Sequence, residues 1–240
     1  MTEQAEIRNN LTRLEDSISA ACRAANRPRA EVELVAVSKT HPAAAIVEAV
    51  GLRLHIFGEN RVQEFAAKSA ELPPDVRRQM RVHLIGHLQS NKAAKAVEVF
   101  DALDTLDSLK LAERLNEAAL SLGKRMPVLL EIKLSHEESK AGIVPDSAEL
   151  AELLERLPSL SNLDAQGLMT IAPLDVPEDE TRACFRNLRL LRDRISAAHP
   201  RLNLPVLSMG MSGDFALAIA EGATRIRVGT ALFGRREYPA

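Results

Sequence analysis

"RIRVGTALFG" (residues 225–234) is the stretch on which the fold turns. Its first five residues read as a short strand, and counted from the N-terminus it is the eighth such run. The other seven are "LVAVS" (34–38), "LHIF" (54–57), "VHLIG" (82–86), "FDALD" (100–104), "VLLEIK" (128–133), "DAQGLM" (164–169) and "PVLSM" (205–209). Helical stretches lie between them, near 42–50, 60–71, 90–98, 108–121, 147–157, 178–198 and 213–221. Proline, glycine or a short polar residue marks most junctions. Strands alternating with helices predict a parallel sheet, and a count of eight predicts a closed (β/α)8 TIM barrel. A doubly wound open sheet is the competing fold, favoured if one or two runs are not strands. No helical stretch follows the eighth run. The N-terminal segment 5–25 repeats Ile7, Leu11, Leu14, Ile18 and Ala21 or Cys22 at three- and four-residue intervals. This extra amphipathic helix is expected to fill the gap in the outer ring. The expectation is one barrel domain over residues 1–240.

Composition narrows the function classes. At 240 residues, with 46 % apolar and 27 % charged side chains, the chain can bury a sizeable core. A net charge of -2 gives no electrostatic footprint for nucleic acid or an anionic membrane. With no Trp, six Phe and a single Tyr, a stacking platform for bases is not expected. Cys22 and Cys184 show neither metal nor disulfide spacing, which suits a reducing compartment. The first residues lack the layout of a signal peptide, and no apolar run reaches membrane-spanning length. A cytoplasmic protein is expected.

Barrels carry their sites on the loops that follow the strands. Here those loops are polar and glycine-rich: "GENR" (58–61), "GHLQSNK" (86–92), "DTLDS" (104–108), "KLSHEESKAG" (133–142), "MTIAP" (169–173), "GMSGD" (210–214) and "GTALFG" (229–234). The last two stand out. Gly210, Ser212 and Gly213 precede a helix, and Gly229 and Thr230 follow the final strand. Small residues let backbone N–H groups approach an anion, and two hydroxyls add donors. A phosphate is the expected ligand; tight turns with Ser212 as a helix cap are the alternative. Lys39, at the end of the first strand, either snorkels to solvent or faces the barrel mouth beside those loops. A lysine near a phosphate site serves as a charge partner or, for an aldehyde, as a Schiff-base amine.

Other groups carry less. None of the six histidines forms a metal-binding pattern. Glu59, Asp104 and Asp107 are acids, bases or helix caps. Asn60 and Asn91 are ligand donors or caps, and "HEESK" (136–140) reads as a solvated loop. Arg225 and Arg227 share one side of the last strand and serve either a ligand or a salt bridge.

The stretches "VAVSKTHP", "FGENRVQE", "HLIGHLQSNK" and "LSMGMSGDFALAIAEGATRIRVGTALFG" together resemble the pyridoxal phosphate homeostasis proteins, over about residues 5 to 234. The resemblance implies a barrel like the N-terminal domain of alanine racemase and pyridoxal 5'-phosphate (PLP) as cofactor. It implies that Lys39 carries PLP as a Schiff base and that Ser212, Gly229 and Thr230 grip the phosphate. Arg227 would lie by the pyridine nitrogen, Asn60 and His87 would line the pocket near the ring, and Met169 and Met209 would help enclose it. An arginine there discourages protonation of the ring and weakens it as an electron sink. Alanine racemase also needs a tyrosine base from a second domain, which this sequence does not resemble. The only tyrosine, Tyr238, lies in the last few residues. The resemblance therefore implies a PLP carrier in vitamin B6 homeostasis rather than a robust catalyst. It would work as a monomer or weak dimer whose further partners are amino acids or PLP-dependent apoenzymes. The alternative is a fold-type III PLP enzyme such as an amino-acid racemase. A weaker third reading is a phosphosugar-type barrel enzyme in which Lys39 forms no adduct.

Overall fold

Eight parallel strands close into a ring in chain order, each hydrogen-bonded to its neighbours in sequence. The computed structural model describes residues 3–135 and 141–234 (of residues 3–5, the backbone alone). The strands are β1 Glu33–Val37, β2 Ile56–Glu59, β3 Arg81–Leu84, β4 Ala102–Leu106, β5 Met126–Glu131, β6 Leu163–Met169, β7 Val206–Ser208 and β8 Arg225–Val228. Closure rests on β1 against β8, with Glu33, Leu34, Val35 and Ala36 opposite Arg225, Ile226, Arg227 and Val228. An open sheet would leave those two strands unpaired, so the doubly wound alternative is excluded.

The outer layer comprises α1 Glu3–Ala24, α2 Ala43–Gly51, α3 Val62–Glu71, α4 Pro74–Arg78, α5 Ala93–Val99, α6 Leu109–Ser121, α7 Ala148–Arg156, α8 Glu178–Ala198, α9 Phe215–Ala220 and α10 Thr230–Phe233. Ser108 and Ser147 cap α6 and α7, accepting from Leu111 N and Leu150 N at 3.3 and 3.2 Å. The N-terminal helix does fill the gap. It packs on α2, α9 and α10, burying Ile7, Leu14, Ile18 and Cys22. Asn10 Nδ2 donates to Leu232 O at 3.1 Å, and Arg27 donates to Ile219 O and Ala223 O at 2.9 and 2.7 Å. Two short helices, α4 and α10, were not expected. Pro73 and Pro74 begin α4, because proline suits the first helical turn. No helix among the described residues is long and apolar enough to cross a membrane.

Each strand sends alternate side chains outward to the helices and inward to the barrel. Leu34, Ala36, Phe57, Val82, Leu84, Leu168, Leu207, Ile226 and Val228 belong to the apolar outer layer. The interior is more polar. Arg225 Nε donates to Glu33 Oε2 at 2.6 Å, and its NH1 reaches Asp104 Oδ2 at 3.5 Å. His83 Nδ1 lies 3.0 Å from Asp104 Oδ1. Burial alone would raise the Asp104 pKa, but His83, Arg225 and Arg227 together hold it below the usual carboxylate value. Arg225 is thus a salt-bridge residue of the barrel floor.

Gly167, on β6, is forced by the neighbouring backbone: a Cβ there would collide with the Val206 carbonyl, 2.6 Å from its carbon. Gly167→Ala should cost about 1–3 kcal/mol or more by overpacking. Thermal unfolding checks this; an unchanged midpoint would mean β6 and β7 separate without penalty.

Candidate functional site

Lys39 follows the inward sequence of Val35 and Val37, so its side chain enters the barrel mouth. There it lines an open cavity of about 320 Å³, with Asn60 from the loop after β2, Arg227 from β8, Ser212 from the loop after β7, and Gly229 and Thr230 beyond β8. Six of the nine anticipated residues therefore share one cavity. Val37, His41, Ile85, Ile171, Met211 and Gly213 complete its walls. Ile85 and Ile171 supply apolar surface against which a flat ring can pack. Both lie within stretches quoted above, "HLIGHLQSNK" and "MTIAP", but neither was singled out as a site residue.

The other three anticipated residues lie elsewhere. Met209 follows Ser208, whose Oγ accepts from inward-pointing Arg227, so Met209 points outward into the apolar layer. It does not enclose the cavity. Met169 is paired in register with Glu131, shares its inward direction and is fully buried below the mouth. His87 is exposed, lies 2.9 Å from Asp107 Oδ2 through Nδ1, and borders a neighbouring chamber. Among the acidic candidates, Asp104 sits in the floor network and Glu59 lies outside the barrel wall, toward α3. Asn91 falls in a single turn, Ser90–Lys92, away from the mouth. Tyr238 and residues 136–140 lie outside the described residues.

The backbone on either side of Lys39 is tightly held. Ser38 N–H donates to Gly58 O at 3.1 Å, and Ser38 Oγ donates to Glu59 Oε1 at 2.8 Å. Lys68 on α3 donates to Ser38 O at 3.0 Å and to the same Glu59 oxygen at 2.7 Å. On the other side Thr40 has φ of 67°, an unfavourable value for a β-branched residue, and its N–H donates to Glu64 Oε1 at 2.6 Å. Glu64 is in turn 3.5 Å from Lys68. Burial outweighs Lys68 and raises the Glu59 pKa above its ordinary value. This network was not anticipated: Lys68 sits in a helix that reads as ordinary, and only the fold brings it under Lys39.

The two glycine-rich loops are laced together. Asp214 Oδ1 accepts from Met211 N at 2.6 Å, Arg227 N donates to Gly210 O at 3.0 Å, and Ala231 N donates to Ser212 Oγ at 3.4 Å. Ser212 therefore does not cap α9, where Asp214 holds the cap position. Gly210 has φ of +96°, and a Cβ there would meet Ala218 Cβ at 2.6 Å. A Cβ at Gly229 would come within 3.2 Å of Val37 O. Glycine thus lets the loop after β7 pack on α9 and the loop after β8 pack on β1, and a Cβ at Gly213 meets no atom within 4 Å, leaving the cavity open there. The cavity thus combines a primary amine, two hydroxyls and glycine backbone on one wall, apolar faces and a buried guanidinium. That donor set suits a flat phosphorylated molecule with an aldehyde.

Comparison with known proteins agrees. The family model for the alanine racemase N-terminal domain matches residues 9–237. The pyridoxal phosphate homeostasis protein of Escherichia coli K12 is 40 % identical over 234 residues, covering 97 % of this chain and 98 % of that one. The chain belongs to the pyridoxal phosphate homeostasis proteins of the alanine racemase N-terminal domain family. Within that family, the solved structure of PipY from Synechococcus elongatus PCC7942 with PLP bound is 47 % identical, covers 92 % of this chain and 100 % of its own, and superposes with a TM-score of 0.79. Alanine racemase from Clostridium difficile 630, at 19 % identity and a TM-score of 0.72, shares the fold over 98 % of this chain and 58 % of its own.

In this homeostasis-family barrel, Arg227 has two of its nitrogens committed, NH1 to Ser208 Oγ at 2.8 Å and NH2 to Thr170 O at 2.9 Å. Burial lowers its pKa, while the carboxylates of Asp104, Glu131 and Asp214 oppose that shift. A guanidinium so fixed can donate to a ligand or repel a proton, and it cannot accept one.

Proposed function

We propose that this chain holds PLP at the barrel mouth and serves intracellular vitamin B6 homeostasis, without robust catalysis. The observation that supports this most is the placement of Lys39 in one cavity with Ser212, Gly229 and Thr230 across the β1–β8 seam. The structure of PipY with PLP bound, at 47 % identity, supports the same ligand. PLP supplies an electrophilic aldehyde for amines, and its phosphate is an anion. Lys39 is the amine for the former; Ser212, Thr230 and the glycine amides are the donors for the latter. Asn60 is placed to orient the ring, with Ile85 and Ile171 as apolar surface beside it. Arg227 is the residue for the pyridine nitrogen, where a cation in place of a carboxylate keeps the ring a weak electron sink. A single barrel domain in the cytoplasm, monomeric or weakly dimeric, completes the reading.

The test is an absorbance spectrum of the protein with added PLP, followed by borohydride reduction and peptide mass spectrometry. A visible band should appear, and the reduced adduct should map to Lys39. Lys39→Ala should lose both. Absence of a band and of an adduct in the wild type would remove the function at its root. The racemase alternative is checked separately: exchange of amino-acid α-protons that Lys39→Ala abolishes would replace the carrier reading with an enzyme.

A further inference from the structure

Beside the cofactor cavity lies a second chamber of about 280 Å³, sharing Asn60, Ile85 and Ile171 as its dividing wall. Glu131, at the end of β5, and Ser135 border it, and they are only 5 % and 8 % exposed. Glu131 Oε2 and Ser135 Oγ are both buried without a hydrogen-bond partner. Buried polar atoms are nearly always paired, because an unpaired one costs about 1–3 kcal/mol. Both border one cavity, where they can meet a ligand.

We propose that this second chamber binds the ammonium group of a small organic cation, a primary amine or the amino end of an amino acid, through Glu131 and Ser135. A carboxylate and a hydroxyl oxygen are acceptors for an N–H fork, and the carboxylate repels an anion. Ile85, Ile132, Ala141 and Ile171 give the rest of the chamber an apolar lining suited to a short carbon body. A bare metal ion fits poorly: it needs several oxygen or nitrogen ligands, and among the described residues no group of three His, Cys, Asp or Glu could hold one. Among the described residues, the charged groups facing Glu131 are Asp107 and His87 from the loops after β4 and β3, Arg227 from β8, and Lys133 two residues along the chain. Burial first, then Asp107, push the Glu131 carboxyl up to about 7, with Arg227 and His87 opposing. An incoming ammonium would supply a donor to Glu131 Oε2, which has no hydrogen-bond partner among the described residues. The position deepens the PLP reading, on which its biological sense rests: an amine held here waits next to the pocket that takes an aldehyde. The binding itself does not require the cofactor.

The experiment is therefore done on PLP-free protein, by calorimetric titration with ethylammonium and, as an anion of similar size, acetate. Ethylammonium should saturate one site, about tenfold more tightly at pH 8 than at pH 6, as Glu131 ionises across that interval. Acetate should not saturate. Glu131→Gln should weaken ethylammonium binding at least tenfold, and Ala141→Leu, which fills the chamber without touching a polar group, should abolish it. Circular dichroism establishes that each variant is folded; if Glu131→Gln is not, Ala141→Leu decides alone. The proposal is overturned by no saturable ethylammonium binding, by binding that survives Ala141→Leu, or by acetate saturating in its place. Failure of the Lys39 adduct would instead remove the PLP reading and leave this titration standing.

Discussion

Replacing Lys68 by methionine is expected to destabilise the protein by about 3–5 kcal/mol, the usual cost of stranding one partner of a buried ion pair. Glu59 is fully buried and Lys68 only 7 % exposed, so water cannot replace the lost ammonium. Two hydrogen bonds go with it, to Glu59 Oε1 and to the Ser38 carbonyl. The damage depends on pH. Burial already raises Glu59 above its ordinary value, and without Lys68 the rise is larger. A raised carboxyl takes up a proton on folding, so stability falls as pH climbs from the unfolded value through the folded one. The variant should therefore lose more at pH 8 than at pH 5. Lys68→Met combined with Glu59→Leu should recover most of the loss, because an apolar pair needs no partner. Denaturant unfolding at both pH values checks this. A loss below about 1 kcal/mol would place the pair among solvent-screened ones. A second readout is functional: Ser38 precedes Lys39, so Lys68→Met should broaden or weaken the PLP absorbance band even under conditions where the fold persists.

Glu131→Gln should act in the opposite direction. Its carboxyl moves from an ordinary 4.5 to about 7, which corresponds to about 3 kcal/mol of stability withheld once the group is ionised. The folded form binds the proton more tightly than the unfolded chain. Wild-type stability therefore declines between the ordinary carboxylate value and about 7, and the cost is complete above that range. An amide keeps the shape and never ionises. The variant should match the wild type at pH 4 and exceed it at pH 8, with that segment of the pH–stability curve flattened. Urea unfolding across the range checks it. Parallel curves for the two proteins would mean that Glu131 titrates like a surface carboxylate.

Much of the barrel was legible because parallel strands buried on both faces read as short apolar runs, and because proline and glycine punctuate the turns. The eight runs coincide with the eight strands to within about two residues, inside the usual boundary uncertainty. The cavity was legible where a residue type has one strong use, as with Lys39 at a strand end and the glycines of the last two loops. It failed where direction decides. Met209 looked like a pocket wall, but its neighbour Ser208 takes the inward position and the two-residue period sends Met209 out. Glu59 and Asp104 were equivalent acids in the sequence; the fold puts one against α3 and the other under Arg225. Lys68 and Glu131 carried no local signal, because their roles depend on what the ring brings near them.

The seam between β1 and β8 has a consequence for synthesis. Lys39 leaves the ribosome about 190 residues ahead of Arg227, Gly229 and Thr230. Contacts that distant in sequence form late and slowly, since a large loop must close before they can be made. A nascent chain thus carries its reactive amine without the rest of the pocket for most of its translation. Cofactor capture should begin only when the final strand zips onto the first, which makes loading a report on completed folding.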